Sequence, residues 1–197
     1  WLPKDYNQSV NSIIAKPREG RGSRGIIINP DRIDDLDDTY LIQELHKGIE
    51  ITTSIYINRN NKVHGICSME RKLTNGTTSQ IIINDKYDSI FLDIANKIAN
   101  IGGVKGSINV QSIVDKNGQV FPFEINCRIS GTNSIRHNLG FQDVKYTLQE
   151  YLFDEKPDVV DIKNKKEIAV RILMDVIYPE AKSFEDLNNN SVKHIIF

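Results

Sequence analysis

Asn109-Val110-Gln111-Ser112-Ile113-Val114-Asp115-Lys116-Asn117-Gly118-Gln119-Val120-Phe121-Pro122-Phe123-Glu124-Ile125-Asn126-Cys127-Arg128 is the stretch on which the fold turns. Asn-Gly between two runs of alternating apolar residues signals a hairpin, because both central residues of a two-residue type I′ turn need φ > 0. With Asn117 and Gly118 at the turn centre, Lys116 pairs with Gln119, Val114 with Phe121, Gln111 with Glu124 and Asn109 with Asn126. Side chains alternate with period two, so Asn109, Gln111, Glu124 and Asn126 share one face. Ile108, Val110, Phe121, Phe123 and Ile125 form the other, which reads as core. The first face offers carboxylate and amide oxygens, the donors that hold a hard cation such as Mg²⁺ beside substrate phosphates. The competing reading is a polar face that is only solvated. The register requires an even loop, since a three-residue turn moves one strand to the opposite face.

Composition sets the outer limits. The chain has 197 residues, 39% hydrophobic and 26% charged, with a net charge of −1. These values fit a globular protein of one large domain or two small lobes. The charge balance gives no bias toward nucleic acid or an anionic membrane, and no apolar run reaches the ~20 residues of a membrane span. Cys67 and Cys127 are isolated, and His46, His64, His137 and His194 show no ligand spacing, so neither a disulfide framework nor a zinc site is indicated. With no visible signal peptide, the expected location is cytoplasmic.

Outward from the hairpin, strands are expected over 12–16, 26–28, 40–45, 50–58, 62–69, 77–84 and 167–176. A short acidic helix is expected over 30–37. Ile90, Ile94, Ile98 and Ile101 fall at helical spacing and predict a helix over 86–101, capped by Asp85 and ended by Gly102. Two shorter helices are expected over 133–139 and 144–153, with a polar linker over 154–166. Adjacent strands joined by short turns favour an α+β fold with mainly antiparallel sheet. A small β-rich lobe over 1–45 would precede a larger lobe over 46–160 and an extension over 161–197.

Between the first two strands lies Lys16-Pro17-Arg18-Glu19-Gly20-Arg21-Gly22-Ser23-Arg24-Gly25. Glycines bring backbone N–H groups close to an anion, and a lysine adds a point charge suited to phosphate. The loop lacks the Gly-Lys-Ser/Thr ending and the following helix of a Walker A motif, and for want of a helix it is not a Rossmann fingerprint. An ordinary loop is the alternative reading.

Taken in order, Ala15-Lys16-Pro17, the Gly-rich loop, Ile42-Gln43-Glu44-Leu45, Gly48-Ile49-Glu50, Asn109-Val110-Gln111 and Glu124-Ile125-Asn126-Cys127-Arg128 resemble the ATP-grasp superfamily. The match is closest to members like the large subunit of carbamoyl-phosphate synthetase and runs from about residue 12 to 152. The resemblance implies ATP and Mg²⁺ (or Mn²⁺) as cofactors. Lys16 would contact phosphates, and Gly20, Gly22, Ser23 and Gly25 would close over them. Glu44 and Leu45 would line the adenine pocket, and Glu50 would bind the ribose. Gln111, Glu124 and Asn126 would hold one or two metal ions, while Arg128, with Arg71 and Arg136 as further candidates, would face the transferring phosphoryl group. Read from residues alone, Glu44 and Glu50 are equally ordinary hairpin charges, Arg71 a surface residue, and Arg136 the partner of a carboxylate such as Asp143.

The sequence departs from the family pattern at Cys127, where Pro is usual, and at Gln111, which is often acidic. The family also has an N-terminal domain that residues 1–11 are too few to supply. The expectation is therefore a piece holding lid and metal-bearing core, inactive alone. The implied activity is an ATP-dependent ligase that turns a carboxylate or bicarbonate into an acyl-phosphate for attack by an amine or ammonia. Its partners would be those small molecules, with neither nucleic acid nor membrane involved. The rival is a non-catalytic nucleotide-binding or regulatory module with the same fold.

Overall fold

A computed structural model describes residues 1–7, 10, 12–20, 24–74, 77–162, 168–172, 176–183, 185–188 and 193–196. Strands β1 (Ile13–Pro17), β2 (Ile27–Ile28) and β3 (Tyr40–Glu44) form a small antiparallel sheet in the order β2-β1-β3. Ile13 lies opposite Glu44 and Lys16 opposite Leu41. Period-two alternation then buries Ile13, Ala15 and Ile42 against Ile33, Leu36 and Tyr40, and puts Lys16 on the other face. The acidic segment 30–37 makes turns instead of the expected helix. Asp side chains compete for local backbone N–H groups: the Asp37 carboxylate accepts from the Thr39 N–H at 2.9 Å, and only a single turn closes, from Leu36 N–H to the Ile33 carbonyl at 2.9 Å.

The main sheet contains β4 (Ile49–Ile57), β5 (Val63–Thr74), β6 (Thr77–Ile83), β7 (Gly106–Val114), β8 (Val120–Asn126) and β9 (Ile168–Val170). Their order is β8-β7-β4-β5-β6-β9, and every neighbouring pair is antiparallel. This is the α+β architecture expected. Strands β10 (Val176–Ile177) and β11 (Ile195–Ile196) form a separate ladder. Of the strand expected over 167–176, β9 is formed, and residues 167 and 173–175 lie outside the described set.

Helix α1 (Asp88–Ile101) covers one face of the main sheet. Phe91, Ala95, Ile98 and Ala99 form its buried stripe, against Ile51, Ile55, Ile57, Ile66, Ile108, Val110 and Val114. The isoleucine spacing locates the helix but not its buried side, because Ile90 and Ile101 are 39% and 79% exposed. On the opposite face, Tyr56, Cys67, Met69, Ile81 and Ile83 meet Leu139, Phe141 and Tyr146, delivered by α2 (Asn133–Asn138) and α3 (Asp143–Tyr151). The supposed linker is docked over its described part. Pro157 is buried, Val160 and Ile162 pack on this second core, and His64 Nε2 donates to the Asp158 carbonyl at 2.8 Å.

The hairpin turn differs from the expected one. Asp115 N–H donates to the Gln119 carbonyl and Gly118 N–H to the Asp115 carbonyl, both at 3.0 Å. The loop is thus three residues, with Gly118 in the left-handed region at φ 82°. Such a loop shifts the register by one, pairing Val114 with Val120 and Ile113 with Phe121. A second irregularity restores it: Ser112 pairs with Pro122 but Gln111 with Glu124, leaving Phe123 as the extra residue of a β-bulge. Gln111 therefore faces Glu124, and Asn109 faces Asn126, as counted from the sequence. The apolar side follows the count only in part. Ile108 and Val110 are core, but loop and bulge re-aim Phe121 and Phe123, which are only half-buried, and Ile125, back in the counted register opposite Val110, is 49% exposed on the edge strand.

Gly140 has φ 103°, and a Cβ there would lie 1.8 Å from the backbone oxygen of Asp161 in the docked segment. Gly140→Ala is expected to lower unfolding stability by about 2–3 kcal/mol, against about 1 kcal/mol for Gly118→Ala, where only backbone strain opposes the change. Urea denaturation of the two variants provides the comparison.

Candidate functional site

The chain passes from the small sheet to the main sheet through Leu45-His46-Lys47-Gly48, between β3 and β4. Leu45 N–H donates to the Ser12 carbonyl at 2.9 Å. The His46 ring stacks on Phe121 with centroids 3.5 Å apart and planes 10° from parallel, fixing the connection to the hairpin. A cleft of about 1160 Å³ opens here, lined by Ser12, Glu44, Leu45 and His46 on one side and Val114 and Asp115 on the other. Lys16 and Glu124 lie outside its lining. Glu44 is exposed, with its carboxylate 3.9 Å from His46 Nε2.

The polar part of the main sheet is organised by cross-strand rows. Glu124, Gln111, Thr52 and Met69 form one row across β8, β7, β4 and β5; Asn126, Asn109, Ser54 and Cys67 form the next. The Asn126 side-chain amide donates to Glu124 Oε1 at 2.7 Å. Asn109 is buried, and its Oδ1 accepts from the Thr52 hydroxyl at 2.8 Å. One row further on, Arg71 Nε donates to Glu50 Oε1 at 2.7 Å, Nη2 donates to the same oxygen, and Nη2 also donates to Gln111 Oε1 at 2.8 Å.

Lys16 reaches this face from the small sheet. Its Nζ lies 4.7 Å from the centroid of Phe123. Burial pulls the Lys16 amine below its ordinary pKa, and the Glu124 carboxylate opposes that shift. A lysine from one sheet and a carboxylate from the other thus face a common space. Phe123, expected in the core, becomes part of this space through the bulge. Pro122 is the signal for it in the sequence, because proline inside a strand marks an edge or a bulge, and β8 has both.

The remaining candidates are placed differently. Arg128 is exposed, and its Nη1 donates to the Ile129 carbonyl at 3.3 Å. Arg136 is fully buried. Its Nη2 and Nε donate to Asp143 at 2.6 and 3.3 Å, and its Nη1 donates to the Ser130 and Thr132 hydroxyls at 2.8 and 3.0 Å. Gly20 and Gly25 flank the rest of the phosphate-loop candidates, and Gly22 and Ser23 lie outside the described residues.

Among the described residues no three His, Cys, Asp or Glu side chains gather into a metal-binding cluster. The donor set on the polar face is instead one carboxylate with amide oxygens. That set fits a Mg²⁺ ion that draws its other ligands from phosphates and water, which is how this cation is commonly held beside a nucleotide. Glu124 and Asn126 are available for it, whereas Gln111 Oε1 already accepts from a guanidinium.

The family is defined by the sequence as a whole, on a fold with a six-stranded antiparallel sheet and a separate three-stranded one. The chain belongs to the ATP-grasp domain family, whose pattern matches residues 2–132. It is similar in fold to the biotin carboxylase domain of Hydrogenobacter thermophilus 2-oxoglutarate carboxylase, crystallised with MgADP, ADP and bicarbonate. That comparison gives a TM-score of 0.59 and 15% identity, covering 71% of this chain and 36% of that one. It is also similar to N5-carboxyaminoimidazole ribonucleotide synthetase from Thermotoga maritima, with a TM-score of 0.58 and 16% identity over 78% of this chain and 42% of that one. The L-amino acid ligase of Bacillus licheniformis gives 0.56 and 16%, over 80% and 42%. Identities this low establish the fold, and the chain spans well under half the length of these proteins. No curated protein matches it. No helix among the described residues is long and apolar enough to cross a membrane.

Removing one partner of a buried ion pair leaves the other charge stranded. Arg136→Ala is expected to cost about 3–5 kcal/mol, with a smaller loss when Asp143 is replaced by Leu at the same time. Thermal or urea unfolding of the single and double variants measures the difference.

Proposed function

We propose that this chain is the nucleotide- and metal-binding part of an ATP-dependent ligase. The reaction would join a carboxylate or bicarbonate oxygen to the γ-phosphorus of ATP with release of ADP. An amine or ammonia would then attack the acyl carbon of the acyl-phosphate and displace phosphate. The observation that carries this reading is the approach of Lys16, from the other sheet, to Phe123, the strand neighbour of Glu124. A phosphate-neutralising cation and a hard-cation ligand converge there, and phosphoryl transfer depends mainly on such positioning and charge neutralisation.

On this reading residues 1–45 act as the lid, 46–160 as the core and 161–197 as an extension. Lys16 binds phosphate oxygens, and the loop from Gly20 to Gly25 covers them. Glu44 and Leu45 border the adenine and Glu50 the ribose. Glu124 and Asn126, with Gln111 beside them, hold Mg²⁺ or Mn²⁺, which when bound would screen the phosphate charge. Arg128, on the loop after β8, would contact the acyl-phosphate. Arg136 we assign to holding that loop in place, because its donors are committed to Asp143, Ser130 and Thr132. The finer likeness to the carbamoyl-phosphate synthetase large subunit rests on the order of the six sequence elements. The tie between Gln111 and Arg71 favours a second reading, a nucleotide-binding module without turnover.

Calorimetric titration with ADP tests the reading. Binding should require Mg²⁺ and weaken about 10–100-fold in Lys16→Ala, the loss expected for a charge-assisted contact. A bound polyphosphate raises an amine pKa that burial has lowered, so at alkaline pH binding should take up a proton, and Lys16→Arg should abolish the uptake. Mg²⁺-independent binding that ignores Lys16 would exclude the site. Carboxylate-dependent release of ADP from ATP, measured on a protein that also carries the family's N-terminal domain, separates the ligase from the silent module.

A further inference from the structure

Phe123 is the residue that β8 has in excess of its partner strand. Ser112 pairs with Pro122 and Gln111 with Glu124, so Phe123 has no opposite number on β7. In a regular strand residue 123 would point away from the face that carries Glu124, because neighbours alternate. The bulge brings its ring to Lys16 instead, with Nζ 4.7 Å from the ring centroid. Lys16 and Phe123 are both half-buried, and Glu124 is exposed.

The amine and the carboxylate that flank this ring in space and in sequence are not joined. Among the described residues Lys16 takes part in no ion pair. The Glu124 charge nevertheless acts on its amine, opposing the downward pull that burial exerts on the pKa. Glu124 itself is engaged along its own strand, where Oε1 accepts from the Asn126 side-chain amide at 2.7 Å. A ring face attracts an ammonium through its quadrupole but carries no net charge, so the lysine keeps its full charge. A contact of this kind and an exposed ion pair are of similar strength. The ring can therefore hold the amine against the attraction of the carboxylate.

We infer that Phe123 is a positioning residue: its ring holds the Lys16 ammonium beside β8 and keeps it from closing onto Glu124 as an ion pair. The inference rests on the nucleotide-binding reading above and adds a condition to it. An ion pair between the two sheets would neutralise the charge meant for phosphate and occupy the carboxylate meant for a cation. With the amine on the ring instead, both charges stay open, and neither has an ionic partner to give up when a nucleotide and its metal ion arrive. The bulge then has a purpose beyond register, since a bulge is a means of re-aiming a side chain.

The test is a double-mutant cycle read on the Lys16 side chain by nuclear magnetic resonance, without nucleotide. Lys16→Arg identifies the signal by its loss. In the unmodified chain the methylene next to Nζ should show the upfield shift of a group above a ring face, and Glu124→Gln should leave that shift in place. Phe123→Leu removes the ring, keeps apolar bulk and lets Lys16 close onto Glu124. Glu124→Gln should therefore lower the Lys16 pKa more in the Phe123→Leu background than in the unmodified chain. MgADP binding should weaken about 3–10-fold in Phe123→Leu. Phe123→Tyr, which keeps a ring, should rescue both readouts. Mere loss of packing would weaken binding without making the Lys16 pKa depend more on Glu124. An equal response to Glu124→Gln in the two backgrounds, or no ring shift in the unmodified chain, overturns the inference and leaves the nucleotide site standing. The ring shift needs no variant at Phe123, so the inference stays exposed if Phe123→Leu does not fold. MgADP that fails to bind the unmodified chain overturns the nucleotide reading and the inference with it.

Discussion

A carboxylate on a β-strand has two places to go, and in the β7–β8 hairpin one of them is the core under helix α1. Slipping the strand by a single residue would exchange them, because side chains alternate with period two. The pairing of Gln111 with Glu124 is what prevents this, and it is maintained by two irregularities that offset each other. The three-residue turn at Gly118 moves the register one way, and the bulge at Phe123 moves it back. Everything on the polar face depends on that outcome: the row of Glu124 and Gln111, the reach of Arg71 across β4, and the strand that Lys16 approaches from the other sheet.

The same face of the main sheet does two jobs. Toward β5 and β6 it is apolar and buried under Leu139, Phe141 and Tyr146. Toward β7 and β8 it is polar. The boundary between the halves is held by the buried Arg136–Asp143 pair. Burying two charges is costly unless their remaining hydrogen-bonding groups are satisfied, and here Ser130 and Thr132 accept from Arg136 while Ser107 donates to Asp143. Ser107 belongs to β7, so this network ties the loop that follows β8, and with it Arg128, to the strand that carries Asn109 and Gln111.

Much of this could be read from the chain, for identifiable reasons. Strands with alternating polarity, Gly102 at a helix end and Asn-Gly at a turn are local signals, and they located most elements to within a few residues. The opposition of Gln111 to Glu124 was also legible, although the turn assumed in deriving it was wrong and the bulge supplied the correction. What escaped were consequences of tertiary contact. The buried stripe of α1 follows Phe91 and Ala95 because the sheet below it, not the isoleucine spacing, chooses the side. The segment after α3 looks like a polar linker because Pro157, Val160 and Ile162 are too widely spaced to make a periodic pattern. Arg136 and Arg71 look alike in sequence, yet one is wholly committed to Asp143 and hydroxyls and the other is held by Glu50 and Gln111. Only Asp143, seven residues beyond Arg136, hinted at the difference.

The cancelling turn and bulge also constrain how this hairpin can change over generations. A residue lost from or added to the tip would ordinarily be a mild event, since loop tips tolerate changes of length. Here it would leave the bulge uncompensated and turn the carboxylate toward α1. Loss of the bulge alone would do the same from the other end. Descendants of this chain can therefore alter the length of the tip only in company with a matching insertion or deletion near Phe123. Length at the two places should be inherited as a unit, with Pro122 as the visible tag of the bulged form.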